Sequence, residues 1–251
     1  VLGDAECGKT SLLRLLARGL AARYRPDEVA LVVVDHRRGL LDLAGLPQLA
    51  AYATDAGTSA EVVEQLRTRL SARLAGRAVA GHEPSLPPPV HDPRQVVLVD
   101  DYDLLPAATG GLLAPLLDLL AHGHELGFHL VLARAVAGTA RSSFEPVLQR
   151  LRELGVPGLV MSGDPHEGPL LGGHKAALLP PGRGLLVGRR RPAVLVQVAH
   201  CPPTGSAGRQ PVAPGDPMEG SGEPRGGAPV DRGVPRTPPA GVGAVTGAGG
   251  R

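Results

Sequence analysis

Gly3, Gly8, Lys9 and Thr10 stand in the spacing G-x-x-x-x-G-K-[ST], with Asp4, Ala5, Glu6 and Cys7 between the glycines and Ser11 after the threonine. These residue types in this order make an anion cradle. The two glycines let the backbone turn tightly, so that successive N–H groups point inward at phosphate oxygens. A helix starting near Lys9 adds its positive end to the same place. The Lys9 ammonium would reach the β- and γ-phosphates of ATP, and the Thr10 hydroxyl would ligate Mg2+. Lys9 is one of two lysines in the chain, the other being Lys175. The alternative for this stretch taken alone is a glycine-rich loop before an ordinary helix.

A second stretch, "VVLVDD" (Val96–Asp101), reads as a buried strand that delivers two acids at its carboxyl end. Open α/β sheets place their ligands there. Asp100 is positioned to share the Mg2+ with Thr10. Asp101 falls where many such ATPases have a glutamate that orients the attacking water. Aspartate is one methylene shorter, and about 1 Å of misplacement can cost on the order of a hundredfold in rate. The candidate set is therefore Gly3 to Ser11 for the nucleotide, Thr10 and Asp100 for the metal, and Lys9 and Asp101 for catalysis. Taken alone, the paired acids would do no more than solvate a strand end. His122, His124 and His129 have metal-like spacing without acid or cysteine companions, and are read as a solvated helix face and a strand residue.

The elements that must hold these residues follow from periodicity. Thr10 to about Arg23 carries leucines at helical spacing, and "VALVVVD" (Val29–Asp35) is a β-branched run of the kind buried on both sheet faces. Thr58-Ser59-Ala60-Glu61 is a capping box for a helix to about Leu74, followed by a proline-rich loop, Glu83–Pro93. Gln95–Val99 is a strand, Leu112–Leu126 a helix with Pro115 in its first turn, and Phe128–Ala133 a strand. Ser142-Ser143-Phe144-Glu145 caps a further helix that Gly155 stops, and strands are expected at Gly158–Ser162, Gly184–Val187 and Ala193–Ala199. The alternation predicts an α/β fold with a mainly parallel sheet flanked by helices.

Composition narrows the class. At 251 residues with 43% hydrophobic side chains but 2% aromatics and no Trp, the core must be packed by Leu, Val and Ala. A net charge of +2 is too small to argue for nucleic acid or an acidic membrane as a partner. Two distant cysteines, Cys7 and Cys201, point to a reducing cytosol rather than a disulfide scaffold. No apolar run reaches the ~18–20 residues that cross a bilayer. Residues 1–200 form the predicted domain, and the Gly/Pro-rich residues 201–251 are expected to be a disordered tail.

"GDAECGKTSLLR", "VVVDHRRGLL", "VVLVDDYDLL", "ELGFHLVLAR", "FEPVLQRLRELGVPGLVMSGD" and "EGPLLGGHKAALLPPGRGLLV" together resemble the FtsK/SpoIIIE group of P-loop ATPases. Within it they look most like the last ATPase domain of the EccC type of type VII secretion ATPases, across residues 1–200. The resemblance implies a RecA-like domain that binds ATP and Mg2+, stacks with other ATPase domains or copies in a hexameric ring, and works in a cytoplasmic motor at the inner face of a membrane. It implies helical-hairpin export substrates of the WXG100 type. It would place a phosphate-sensing residue at Ala133, whose methyl cannot hydrogen-bond, leaving Arg134 as the candidate to sense phosphate and Arg134 or Arg141 as candidates to reach a neighbouring subunit, the alternative being two surface arginines in an Arg-rich chain. Two alternatives stay open: a catalytically weak nucleotide-binding docking module, and a DNA translocase, which the low charge disfavours. In this fold a strand precedes the loop, and Val1 and Leu2 supply only its last two positions. The chain is thus expected to be a fragment cut just upstream, with neighbouring strands left unpaired there.

Overall fold

The computed structural model describes residues 1–79, 92–105, 111–139, 145–189 and 191–203. Most of the expected proline-rich loop, the residues Ser142 to Phe144 of the second capping box, Arg141 and the tail beyond 203 lie outside them.

Helix α1 (Lys9–Ala21) leads to strand β1 (Val29–Val34), whose six residues are all buried, as expected for a β-branched run covered on both faces. Strand β2 (Leu49–Ala53), which the periodicity did not indicate, pairs in parallel with β1. Helix α2 (Ala56–Val79) starts earlier than the predicted box. Its cap is Asp55, whose carboxylate accepts from the Thr58 N–H and hydroxyl, both at 2.9 Å. Ser59, Val63, Leu66 and Leu70 then form one buried stripe.

After strand β3 (Arg94–Val99) and a helical turn at Tyr102–Leu104, the expected long helix over Leu112–Leu126 is replaced by three short ones: Ala114–Leu116, α3 (Leu117–Leu120) and α4 (Gly123–Leu126). Pro115 sits in the first of them, and Gly127, at φ 62°, ends the last. Strand β4 (Phe128–Leu132), helix α5 (Pro146–Glu153), β5 (Gly158–Met161), β6 (Arg183–Gly188) and β7 (Arg191–Gln197) complete the order.

The first four strands form a parallel sheet in the order β2-β1-β3-β4, and the last three an antiparallel sheet in the order β5-β6-β7. Leu2 joins them by parallel bridges to Arg134 on one side and Val160 on the other. Val1 and Leu2 thus stand as the last two positions of the strand expected there, paired on both sides. Leu2 N–H donates to the Leu159 carbonyl at 2.8 Å and Leu2 O accepts from Met161 N–H at 2.7 Å. On the opposite side Arg134 N–H donates to Val1 O at 3.0 Å and Gly3 N–H to Arg134 O at 3.1 Å. A strand end needs only its own ladder partners, and both neighbours supply them.

The parallel sheet has two covered faces. Val32, Val34, Val97 and Val99 pack with Leu66 and Leu70 of α2 on one, while Leu31, Val33 and Leu98 pack with Leu13 and Ala17 of α1 on the other.

Candidate functional site

The glycine loop is fastened at both edges. Asp4 N–H donates to the Ser162 carbonyl at 2.8 Å beyond β5, and Gly182 N–H donates to the Cys7 carbonyl at 2.8 Å. Gly3 and Gly8 are required by these contacts. A Cβ on Gly3 would lie 2.4 Å from Cys7 Sγ, and Gly8 has φ 107° with the Gly182 backbone 3.3 Å from where its Cβ would be. Cys7 is buried, which pushes its thiol pKa up, against the opposing pull of Lys9. Its side chain packs under the loop with Leu159 and Met161. Ala5 and Glu6 are exposed at the rim, Glu6 at φ 60°, and the Asp4 carboxylate accepts from Asp164 N–H at 3.0 Å. Ser11 follows half-buried on α1.

Lys9 is buried, and its ammonium donates to the Gly3 and Asp4 carbonyls, each at 2.8 Å. Those are neutral acceptors inside the loop, which charged phosphate oxygens would replace. Thr10 Oγ1 donates to Asp100 Oδ2 at 2.6 Å. The loop and the acid strand, ninety residues apart in sequence, thus meet at one hydroxyl and one carboxylate. Asp100 is 3% exposed. Burial pushes its pKa up; the Thr10 hydrogen bond opposes this, and the charges of Asp101 and Asp35 add to it. Hydroxyl and carboxylate oxygens are the donors a hard divalent cation takes, and the loop and Lys9 suit a phosphate, so the residues fit a nucleotide with Mg2+.

Asp101 is placed differently. Its backbone is left-handed, at φ 44° and ψ 53°, and its N–H donates to Asp100 Oδ1 at 3.1 Å. Its carboxylate pairs with Arg37 Nε at 3.2 Å. Arg134 is buried, donates from Nε to the Ala135 carbonyl at 3.3 Å and pairs with Glu145 at 3.6 Å. The expected phosphate-sensing arginine is therefore packed into the protein through its own strand end and the start of α5. Ala133 is fully buried and contributes backbone bonds, its N–H to Val99 O and its carbonyl to Tyr102 N–H. His122 lies 3.6 Å from Glu125 on an exposed turn, and among the described residues no cluster of three or more His, Cys, Asp or Glu could hold a metal.

Residues without an assigned role in the sequence reading also converge here. Asp35, at the end of β1, is 1% exposed, and its Oδ2 accepts from Leu40 N–H at 2.7 Å and from the Tyr52 hydroxyl at 2.6 Å. Burial and the Asp35 carboxylate together push the Tyr52 pKa far up, so the phenol stays protonated. The chain between Asp35 and Leu40 then passes over the site. A Cβ on Gly39 would lie 3.1 Å from Thr10 Cγ2 and 3.9 Å from Asp100 Oδ2. Arg14, buried on α1, holds this segment from below by donating to Gly39 O at 2.5 Å while paired with Asp42 at 3.0 Å. Its remaining amino group donates to the Cys201 carbonyl at 3.2 Å. The available signal was an acid closing a buried strand, the same pattern that marks Asp100.

Residues 1–78 match the family model described as "FtsK/SpoIIIE family". The chain is 37% identical over 212 residues to ESX secretion system protein EccC of Thermomonospora curvata, and 41% identical over 203 residues to ESX-4 secretion system protein EccC4 of Mycobacterium tuberculosis. These matches take in 80–81% of the chain, which spans only 15–16% of the length of those relatives. Among solved structures, the cytoplasmic domain of the Thermomonospora curvata type VII secretion ATPase EccC is similar at TM-score 0.71 and 36% identity, over 80% of this chain and 23% of that one. A structure of Thermomonospora curvata EccC (ATPases 2 and 3) in complex with a signal sequence peptide gives the same TM-score and identity, over 80% of this chain and 36% of that one.

Proposed function

For a chain that carries a P-loop ATPase domain of the FtsK/SpoIIIE family, homologous to those of EccC proteins, we propose that it binds ATP with Mg2+ and acts as an ATPase domain of a type VII secretion motor. The observation that carries this is the 2.6 Å hydrogen bond from Thr10 to the buried Asp100, beside a lysine held only a loop's width away on the Gly3 and Asp4 carbonyls. In this reading Gly3 to Ser11 supply the phosphate cradle. Lys9 exchanges its two carbonyl partners for β- and γ-phosphate oxygens. Thr10 and Asp100 turn their oxygens to the cation. A bound Mg2+ would neutralise charge on the transferring phosphoryl group. Asp101 orients the attacking water once its carboxylate leaves Arg37.

The wider context belongs to the same proposal. The domain stacks with other ATPase domains or copies, in a hexamer, and engages WXG100-type export substrates at the cytoplasmic face of a membrane complex. Among the described residues no helix is long and apolar enough to cross a membrane. The solved relative with a signal sequence peptide supports the substrate side of the reading.

A second reading is favoured by Asp101 and Ala133. The water-orienting acid is one methylene short, sits on left-handed backbone and is paired with Arg37, and the residue at the sensing position has no polar side chain. A domain built this way binds ATP and docks substrates with little turnover. The two readings separate in one experiment: ATP binding and steady-state ATP hydrolysis, with and without an export-signal peptide. Turnover that rises with peptide supports the motor. Tight Mg2+-dependent binding with negligible turnover in both conditions replaces it with the docking module. Loss of binding altogether sinks both.

A further inference from the structure

Asp35 is more than a fastening point for the segment above the site. In the register of β1 and β3, Val33 pairs with Leu98 and Val34 with Val99, so Asp35 and Asp100 are the next residues on adjacent parallel strands. Asp100 N–H donates to Val34 O at 3.0 Å, which continues that ladder to the acids themselves. Side chains alternate along a strand. Val33 and Leu98 pack on the α1 face, and Asp35 and Asp100, two residues further, fall on that same face. Two neighbouring buried carboxylates therefore face the helix that carries Thr10.

One oxygen of Asp35 accounts for its structural work. Oδ2 takes both the Leu40 N–H and the Tyr52 hydroxyl. Oδ1 is buried and has no hydrogen-bond partner among the described residues. A bare buried carboxylate oxygen is costly, and a like charge next to it raises the cost. An asparagine would serve Leu40 and Tyr52 equally well, with no second negative charge beside Asp100. The aspartate makes physical sense if a cation shares the space between the two acids.

We infer that Asp35 is a second carboxylate of the cation site, holding a water of the hydrated Mg2+ through Oδ1 while Oδ2 pins the segment that runs to Leu40. The inference rests on the nucleotide–Mg2+ reading above. Mg2+ sheds its waters reluctantly and keeps several of them in phosphate sites, so a carboxylate one water away is a natural partner. Asp35 is thus a positioning residue for the ion, and Gly39, packed against Thr10, closes the same space from above.

The test uses the full chain and a fluorescent ATP analogue, titrated in saturating Mg2+ and in EDTA. Wild type is expected to bind more tightly with Mg2+. Asp35→Asn, which keeps the acceptor for Leu40 and Tyr52, is expected to match wild type in EDTA and to lose about tenfold of the Mg2+ enhancement, the scale of an outer-shell partner. Tyr52→Phe removes the same segment's contact but leaves the charge, and is expected to keep the enhancement. An Asp35→Asn enhancement equal to wild type, or an equal loss in Tyr52→Phe, overturns the assignment. No enhancement in wild type overturns the nucleotide–Mg2+ reading itself, and the inference with it. Should Asp35→Asn fail to fold, Mn2+ bound with nucleotide to an Asp101→Asn chain carrying 13C at aspartate Cγ decides instead. Electron–nuclear double resonance must then find two aspartate carboxyl carbons in the ion's coordination or hydration shell, and finding one overturns the inference.

Discussion

The central strands of the parallel sheet, β1 and β3, and the outer strand of the antiparallel sheet, β7, lie at opposite extremes of burial. Every residue of β1 and all but the first of β3 are buried, between α1 on one face and α2 on the other. In β7 no residue is fully buried, and Val194 and Leu195 are more than half exposed. The first half can therefore hold three acids at strand ends against their mutual repulsion, because aliphatic packing on two faces fixes the strands that carry them. The second half contributes backbone: the Ser162 and Gly182 contacts that clamp the glycine loop. Buried side chains fix the strands that carry the acids, while main-chain bonds from Ser162 and Gly182, with Leu159 and Met161 packed under Cys7, fix the loop.

The contrast is sharpest in stability. Leu98, fully buried near the carboxyl end of β3, is expected to cost about 3 kcal/mol on substitution by Ala, through lost transfer energy and the cavity left behind. Val194→Ala, on a strand 54% exposed at that residue, is expected to fall within about 0.5 kcal/mol of wild type. Urea melts of both variants measure the difference, and comparable losses would abolish the distinction between the halves. Nucleotide binding should divide the same way. On the proposed reading, in which Lys9 bonds phosphate, Lys9→Ala is expected to cost about 1.5–3 kcal/mol of binding and to weaken ATP roughly ten- to a hundredfold. Arg191→Ala in β7, which lines a separate apolar hollow with Pro157, Leu186 and Val194, should leave ATP affinity unchanged.

Gly182, just before β6, carries one of the two main-chain bonds that hold the glycine loop, so it sharpens the comparison further. It has φ 78°, and an added Cβ would lie 2.6 Å from Gln197 Nε2 and 3.1 Å from Val198 O while its N–H still had to reach Cys7 O. Gly182→Ala is expected to cost about 1–2 kcal/mol in stability from the left-handed backbone and the clash. It should also weaken ATP binding several-fold, because the glycine loop loses its support. A destabilised protein with wild-type ATP affinity would mean the antiparallel half does not position the loop.

Some of this was legible in the sequence. The meeting of the glycine loop with the paired acids was, because it was expected at Thr10 and Asp100 and is made there, and β1, β3 and β4 were, because runs dominated by aliphatic residues have few alternatives. Strand β2 was not: "LAAYA" is alanine-rich and becomes a strand only by pairing with β1. The start of α2 was misplaced because Thr58 and Asp55 are both good caps, and only the fold shows that the Thr58 hydroxyl serves Asp55. Asp35, Arg37 and Arg14 took no role because each acts through an element distant in sequence: β3 beside β1, Asp101 across from Arg37, Gly39 over Arg14. Arg134 had the right address at the end of β4, but the partner that holds it, Glu145, is set by where α5 packs.

The smallest expected effect tests whether the parallel half stores charge repulsion. Burial raises the Asp100 pKa in the folded chain, with Asp101 and Asp35 adding to the rise and Thr10 opposing it. A carboxyl that binds its proton more tightly when folded gives a folded state that holds more protons than the unfolded one. Its contribution is therefore greatest below the ordinary carboxylate pKa and is lost as pH rises through the raised folded value. In EDTA, urea melts across the acid range should show wild type losing stability relative to Asp100→Asn as pH increases through that window. Val194→Ala, with no titrating group involved, should track wild type at every pH. Saturating Mg2+ with nucleotide should flatten the wild-type slope, since a cation favours the ionised acid. A wild type that gains stability relative to Asp100→Asn as pH rises, without metal, would mean that the Thr10 hydrogen bond outweighs burial and repulsion, and that the acids at the strand ends are relaxed before any ion arrives.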